Sequence, residues 1–175
     1  GSFAVGKLEE VLKGIRPIDQ DLYRKAQERL DSLTKPKGSL GRLEELARRY
    51  AAITRSLRPK LAKKHILLFA ADHGVVEEGV SLYPREVTAQ MVFNFLDGGA
   101  AINVLARQAA AKVEVVDVGV AFDFPELPGL RRAKVAYGTQ NMAKGPAMSR
   151  QCAIAALEAG IEAAEAAIEK GADLL

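Results

Sequence analysis

Apolar positions in the first third of the chain recur at helical spacing. Residues 7–13 form a short amphipathic segment, and apolar residues follow at intervals of three and four through residues 20–33. Asp19, which comes after a proline, is a suitable N-cap for the second segment. A third apolar stripe covers residues 40–50, and Ser39 is the expected cap of that helix. The pattern predicts three helices and no strand in this part of the chain.

Continuous apolar runs then replace the helical spacing. Residues 66–71 are all apolar and end at Asp72-His73-Gly74, which predicts a strand buried on both faces, as in a parallel sheet. Residues 113–120 predict a second strand. Between the two runs, a helical pattern begins at Pro84 and is interrupted at Gly98-Gly99. This order of strand, helices and strand predicts a crossover unit in a parallel sheet.

The remainder of the chain predicts an irregular segment and one long helix. Residues 124–131 contain two prolines and predict a loop, and residues 135–137 indicate a short strand. Ser149 is the expected cap of an alanine-rich helix that runs to about Lys170. Residues 172–175 resemble the start of another strand, so we expect the N-terminal part of a longer protein; a native terminus with a frayed tail is the alternative. The fold class expected is α/β, an incomplete Rossmann-like domain with a parallel sheet and crossover helices, preceded by a small helical region.

Composition narrows the class of protein. Of the 175 residues, 49% are apolar and 27% are charged, which excludes a disordered or collagen-like chain. A single cysteine excludes a disulfide framework and favours a cytoplasmic protein. The chain has no uncharged stretch long enough for a membrane span and no signal peptide at its start, so we expect no membrane partner.

Charge is distributed unevenly along the chain. Residues 24–64 contain thirteen Lys and Arg against four Asp and Glu, whereas residues 65–175 contain nine against fourteen. The basic segment is either a surface for an anionic partner or a solvated helical face whose charges cancel in the fold or at a subunit contact. Aromatic residues are few there and no nucleic-acid motif is present, so we expect no nucleic-acid partner.

Polar residues follow both predicted strands, at the edge where open α/β sheets bind ligands. Asp72 and His73 follow the first strand, and Asp117 lies near the end of the second. An adjacent carboxylate and imidazole can bind a metal or transfer a proton, or they can bond to nearby backbone and shape the turn. The other histidine, His65, lies about 25 Å away at the opposite end of the strand, so we expect no metal site. The chain lacks the glycine motifs of dinucleotide-binding and Walker loops, and we expect no cofactor.

Six segments together carry a resemblance to a known family. In chain order they are residues 35–44, 71–75 with 78–80 and 84–90, 97–102, 116–119, 138–142 and 145–150. Their residues and order resemble those of the nicotinate-nucleotide–dimethylbenzimidazole phosphoribosyltransferases, and the match runs from about Leu8 to Leu175 without large gaps. Six segments in the same order are specific, whereas any one of them alone would be weak.

The resemblance implies a reaction and an assembly. The phosphoribosyl group of nicotinate mononucleotide is transferred to 5,6-dimethylbenzimidazole or a related base, which releases nicotinate and gives α-ribazole 5′-phosphate in cobalamin biosynthesis. No metal is needed for this transfer. The family members are homodimers with a large α/β domain and a small helical domain built from both chain ends. We therefore expect residues 3–62 to form the N-terminal helical region of the small domain, and residues 63–175 the N-terminal part of the large domain, truncated at its C-terminal end.

The resemblance also determines which site residues to expect. Family members are about twice as long as this chain, and their general-base glutamate and phosphate loop correspond to positions after Leu175, so it implies no catalytic residue here and no turnover by this chain alone. It implies one wall of the base pocket, formed by Asp72, His73, Ser81, Tyr83, Pro84, Thr88 and Met91. Tyr83 and Met91 stand where some members have serine and glutamine. This makes the wall more apolar and leaves the preferred base open; core packing is the alternative role for both residues.

Two other functions stay open at this point. One is a non-catalytic base-binding module or split subunit of the same fold, which would bind benzimidazoles without turnover. The other is an anion- or nucleic-acid-binding protein that uses residues 24–64, for which binding would depend strongly on salt.

Overall fold

The computed structural model describes residues 6–175, and the chain divides into two compact units. One unit consists of residues 9–61, and the other of Ala62–Leu175 together with residues 6–8. Residues 3–5 of the expected helical region lie outside the described residues. Among the residues that the structure describes, no helix is both long enough and apolar enough to cross a membrane.

Three helices occupy the first part of the chain, as predicted. They are α1 (Lys7–Gly14), α2 (Gln20–Asp31) and α3 (Arg42–Thr54). The predicted cap of α2 is confirmed, because the Asp19 side chain accepts the Leu22 N–H at 3.0 Å. Small residues allow α2 and α3 to pack closely. The buried residues at this contact are Ala26, Ala51 and Ala52.

The predicted cap of α3 is wrong. Gly41, and not Ser39, is the N-cap, and no side chain caps it. The backbone before the helix is held instead by Glu44, whose carboxylate accepts the Leu40 N–H at 3.0 Å from inside the first turn. Glu44 is only 4% exposed and also binds the Lys35 ammonium at 2.9 Å. Local sequence favours a serine cap, but this buried pair determines the path of the loop.

Several basic side chains of the segment 24–64 have acidic partners within the helical unit. Arg24 binds Asp21 and Glu28, and Arg42 binds Glu45. These contacts favour the interpretation in which the local positive charge is partly cancelled in the fold.

The Lys35–Glu44 pair predicts a pH dependence of stability. The hydrogen bond from Lys35 and that from the Leu40 N–H lower the pKa of Glu44 below its ordinary value of 4.5. A lowered pKa stabilises the fold above the unfolded-state value, and this contribution is lost as pH falls through the folded-state value. We expect Glu44→Gln to reduce the thermal unfolding midpoint at pH 7, and the difference from the native chain to shrink progressively once the pH falls below about 4. Circular dichroism melts between pH 3 and pH 7 measure this.

Glu45→Gln on the same helix is the matched control, because Glu45 binds the largely exposed Arg42. Exposed pairs contribute little, so its effect should be small at every pH. A Glu44→Gln difference that stays constant down to pH 3 would contradict the assigned role of the carboxylate.

The second unit contains a parallel sheet of three strands, β1 (Lys64–Ala71), β2 (Ala111–Gly119) and β3 (Leu130–Arg132). Their order in the sheet is β1-β2-β3, and the predicted α/β class is confirmed. Each neighbouring pair of strands is parallel, with Phe69 opposite Val116 in the first pair and Val115 opposite Leu130 in the second. A short 3₁₀ helix (Gly74–Glu78) follows β1, two helices connect β1 to β2, and a long helix follows β3. These three helices are α4 (Glu86–Asp97), α5 (Ala101–Gln108) and α6 (Arg150–Glu169).

The break and the cap predicted in this unit are both confirmed. Gly98 ends α4 at a φ of 80°, a conformation that favours glycine. The Asn103 side chain then joins the two helices, since it accepts the Ala100 N–H at 3.1 Å and donates to the Phe95 carbonyl at 2.9 Å. The Ser149 side chain caps α6 by accepting the Cys152 N–H.

Two predictions for the region after β2 are wrong. The segment 124–131, predicted as a loop, contains the start of β3, and residues 135–137, predicted as a strand, form bends instead. β3 pairs with the edge of β2 at Val115–Asp117. Beyond it the chain stays beside β2, because the N–H groups of Ala133 and Val135 donate to the carbonyls of Asp117 and Val118 at 2.9 and 3.1 Å, and the Lys134 side chain binds Asp117 at 2.8 Å. The position of β3 therefore depends on β2 as a partner and not on its own apolar pattern.

Residues near the end of the chain lie beside the start of β1. Leu174 forms a parallel bridge with Lys64, and its carbonyl accepts the His65 N–H at 2.9 Å. The Asp173 carboxylate accepts the N–H groups of Ala62 and Lys63 at 3.0 and 2.9 Å. This single bridge is the only part of the expected further strand that the described residues form.

The core of the second unit lies between the sheet and α4. Its buried residues are Ala70, Val92, Val115, Val120 and Phe124. The Phe124 ring contacts the rings of Phe93 and Phe122 edge-on, with centroids 5.5 and 4.9 Å apart. α4 is thereby attached to the sheet, and the side of the helix next to this contact lines a cleft.

Candidate functional site

A cleft of about 450 Å³ lies at the carboxyl end of β1, where α/β sheets bind ligands. The last residues of β1, the 3₁₀ helix, residues 80–85 and one face of α4 form its walls, and most of the lining is apolar. All seven residues expected at the base pocket line this one cleft. They are Asp72, His73, Ser81, Tyr83, Pro84, Thr88 and Met91.

Helical spacing determines which α4 residues reach the cleft. Thr88, Met91 and Phe95 follow one another at intervals of three and four, so they share one face of the helix. Val92, which lies beside this face, is fully buried in the core. Pro84 stands just before α4, and its carbonyl accepts the Val87 N–H at 3.2 Å.

Asp72 connects three loops at the rim of the cleft. Its carboxylate accepts the Ala121 N–H at 2.7 Å, and its own N–H donates to the Gly119 carbonyl at 2.9 Å. Its carbonyl accepts the Thr139 N–H at 3.0 Å. Asp72 is 5% exposed, so these bonds form away from water. A buried aspartate bonded in this way shapes the turn, as one of the two sequence interpretations expected.

His73 and Gly74 lie against the loop that contains Thr139. His73 forms a parallel bridge with Thr139, and the Gly74 N–H donates to the Thr139 carbonyl at 3.0 Å. A Cβ on Gly74 would lie only 2.6 Å from the Asn141 nitrogen, so only glycine allows this approach. The His73 side chain is exposed and lines the cleft. Sequence reasoning identified both loops but not their contact, because 65 residues separate them.

The loop with Thr139 is also fastened to the 3₁₀ helix by side chains. The Asn141 amide donates to Glu78 at 2.8 Å, and Lys144 approaches Glu77 at 3.5 Å. Gly138 adopts a φ of 90°, and a Cβ added to it would lie 3.0 Å from the Asp72 carbonyl oxygen. These contacts explain why the short polar segment after Tyr137 forms a defined turn.

Asp117, the other strand-end carboxylate, is buried outside the cleft lining. It binds Lys134 at 2.8 Å and accepts the N–H groups of Gly119 and Val120 at 3.2 and 2.9 Å. Nearby, the Tyr137 hydroxyl donates to Asp123 at 2.5 Å, and this bond raises the pKa of Tyr137. Sequence reasoning missed Lys134, since a lysine 17 residues after an aspartate has no recognisable spacing.

Among the described residues, no group of three or more His, Cys, Asp and Glu side chains is arranged to hold a metal ion. His65 is placed at the far end of β1, and its buried Nδ1 has no hydrogen-bond partner. The lining of the cleft is mostly apolar with a few polar groups at its rim, which suits a largely apolar small molecule.

Known proteins resemble both the sequence and the fold. A family model described as phosphoribosyltransferase matches residues 15–175. A nicotinate-nucleotide–dimethylbenzimidazole phosphoribosyltransferase of Geotalea uraniireducens is 61% identical over 168 residues, which are 96% of this chain and 48% of that protein. The enzyme of that name from Geobacter metallireducens is 65% identical over 157 residues, 90% of this chain and 44% of that protein.

The crystal structure of the corresponding enzyme from Thermus thermophilus superposes with a TM-score of 0.85 at 52% identity, covering 89% of this chain and 47% of that one. The chain spans about half the length of the curated relatives that it matches. Since the family model covers almost all of the sequence, and the relatives agree with it in both sequence and fold, the chain belongs to the phosphoribosyltransferase family.

Proposed function

We propose that this chain is the N-terminal part of a nicotinate-nucleotide–dimethylbenzimidazole phosphoribosyltransferase and forms one wall of its base pocket. The observation that carries the proposal is the cleft itself. Seven residues expected from the family resemblance line a single cleft of about 450 Å³, within the size range of small-molecule sites. The two bacterial relatives described above are both nicotinate-nucleotide–dimethylbenzimidazole phosphoribosyltransferases, which supports the same reaction for this chain's full-length protein.

In the proposed reaction, a ring nitrogen of the base bonds to the sugar carbon that carries nicotinate. The bond from that carbon to the nicotinate nitrogen breaks, and its electron pair neutralises the cationic nicotinate ring. Positive charge builds on the sugar carbon, as in glycosyl transfer. The base loses its N–H proton to an acceptor. The resemblance assigns this acceptor and the phosphate loop to positions after Leu175, so the chain alone should bind the base without turning it over.

The part played by this chain is to orient the base and keep water from it. Met91 and the apolar residues around it bury the ring, and burial of apolar area supplies the affinity. The Ser81 hydroxyl already accepts the Tyr83 N–H at 3.2 Å, which fixes the loop beside the ring. A base held in line with the sugar carbon reacts faster because less orientational entropy is lost.

The proposal extends to the assembly of the whole protein. Residues 3–62 would belong to its small helical domain and residues 63–175 to its large domain, in a cytoplasmic homodimer. The support for this part is the resemblance stated above.

Titration of the chain with 5,6-dimethylbenzimidazole tests the proposed function. We expect saturable binding by calorimetry and at least a tenfold loss of affinity in Met91→Glu, because a carboxylate in the apolar cleft must be desolvated. Met148→Glu is the matched control, since Met148 is 42% exposed and outside the cleft lining. We also expect no α-ribazole phosphate from nicotinate mononucleotide and the base.

Two results would contradict the proposal. Absence of binding at millimolar concentrations of 5,6-dimethylbenzimidazole would contradict the assignment of the cleft as a base pocket. Formation of α-ribazole phosphate by this chain would remove the assignment of the proton acceptor to positions after Leu175.

A further inference from the structure

The turn at residues 119–122 has hydrogen-bond partners on both sides of its backbone. Its N–H groups donate to two buried carboxylates: those of Gly119 and Val120 to Asp117, and that of Ala121 to Asp72 at 2.7 Å. Two of its carbonyls face a single lysine. The Lys134 ammonium donates to the carbonyl of Val120 and to that of Phe122, the latter at 3.1 Å.

Every proton of the Lys134 ammonium therefore has an acceptor. Lysine carries three donors, and the third bond is made to the second carboxylate oxygen of Asp117 at 2.8 Å. The side chain is only 19% exposed, and its ammonium lies 4.9 Å from the ring centre of Tyr137. If the pair were exposed at the surface, water could replace the donors lost with the lysine. Removal of this lysine would instead leave two carbonyls without this donor and a buried carboxylate without its positive partner.

Two connections join this turn to the cleft. The first is Asp72, which lines the cleft and is bonded to Ala121. The second is aromatic: the rings of Phe122 and Phe124 contact the ring of Phe93 on α4, with centroids 6.0 and 5.5 Å apart. Both the β1 wall and the α4 wall of the cleft are thus attached to the turn that Lys134 holds.

We propose that Lys134 is a positioning residue for the cleft. Its side chain is not part of the cleft lining. It holds the 119–122 turn, and through that turn it sets the position of Asp72 and of α4. Lys134 lies outside the set of residues expected at the base pocket. The part of the inference that concerns affinity rests on the proposed function, whereas the part that concerns the turn does not.

The test compares four variants of the full chain. Lys134→Met removes the three donors, and Asp117→Asn with Lys134→Met removes both charges, so that no carboxylate is left buried and unpaired. Lys134→Arg keeps the positive charge and donor groups. Lys170→Met is the matched control, since Lys170 is exposed at the end of α6 and lies outside the cleft lining.

Amide hydrogen exchange reports on the turn without any ligand. In the double variant we expect exchange to rise at least tenfold at Ala121 and Thr139, the two amides bonded to Asp72, relative to the amides of α5. We expect a similar loss of affinity for 5,6-dimethylbenzimidazole, partial recovery of both properties in Lys134→Arg, and no change in Lys170→Met.

Native exchange at Ala121 and Thr139 in the folded double variant would overturn the inference. An increase spread evenly over the helices would also overturn it, because it would indicate a general loss of stability. If the native chain binds no base, the proposed function fails, while the exchange pattern still decides whether Lys134 positions the turn.

Discussion

Replacement of Gly74 by alanine is expected to destabilise the chain by about 3 kcal/mol and to abolish base binding. The added Cβ would lie 2.6 Å from the Asn141 nitrogen, 2.7 Å from the Gln140 carbonyl carbon and 2.8 Å from the Thr139 oxygen. All three are backbone atoms, so no side chain can rotate away. The loop must move as a whole, which breaks the Gly74–Thr139 hydrogen bond and opens the rim of the cleft.

Urea unfolding followed by circular dichroism measures the first effect, and calorimetric titration with 5,6-dimethylbenzimidazole measures the second. Gly145→Ala is the matched control, since it lies in the same segment and an added Cβ there meets nothing within 4 Å. Its stability should stay within about 0.5 kcal/mol of the native chain. A Gly74→Ala chain with native stability and native affinity would show that the two loops do not approach each other as described.

Replacement of Phe124 by alanine is expected to reduce stability by roughly 3–5 kcal/mol. Phe124 is 3% exposed and lies in the core cluster with Val92, Val115 and Val120. Its removal leaves a cavity between the sheet and α4, and it also takes away the ring against which the Lys134 ammonium lies. Large losses of this kind arise when a well-packed site cannot collapse around the missing atoms.

Phe122→Ala provides the comparison, because Phe122 belongs to the same aromatic group but is 42% exposed. The shift in the urea midpoint should be less than half of that for Phe124→Ala, since less apolar area returns to water. Equal losses for the two variants would contradict the assignment of Phe124, rather than Phe122, to the core.

Features that depend on near neighbours were predictable from the sequence. The Asp19 cap bonds to a residue three positions away, and the break at Gly98-Gly99 follows from the conformation that glycine allows. β1 and β2 were recognised because a strand buried on both faces needs a continuous apolar run. Each of these signals lies within a few residues of the element that it specifies.

The features that were predicted wrongly depend on distant partners. Ser39 is a good cap residue in isolation, but the Lys35–Glu44 pair holds the loop in another path. β3 has only three residues and forms because the edge of β2 accepts it. Residues 135–137 have a strand-like composition, but they form bends between two distant contacts, which join the Val135 N–H to the Val118 carbonyl and the Thr139 N–H to the Asp72 carbonyl.

The same division applies to the candidate site. The family resemblance indicated the seven cleft residues from sequence alone, and helical spacing was enough to place Thr88 and Met91 on one face of α4. The sequence by itself therefore determined the class of fold, most of the helices and strands, and the family. Tertiary structure alone decided that Gly74 must lack a side chain, that Asp72 joins three loops, and that Lys134 holds the turn behind it. The physical reason is that these contacts join residues from 12 to 67 positions apart in the printed sequence, so their energies depend on loops meeting in space rather than on any local pattern.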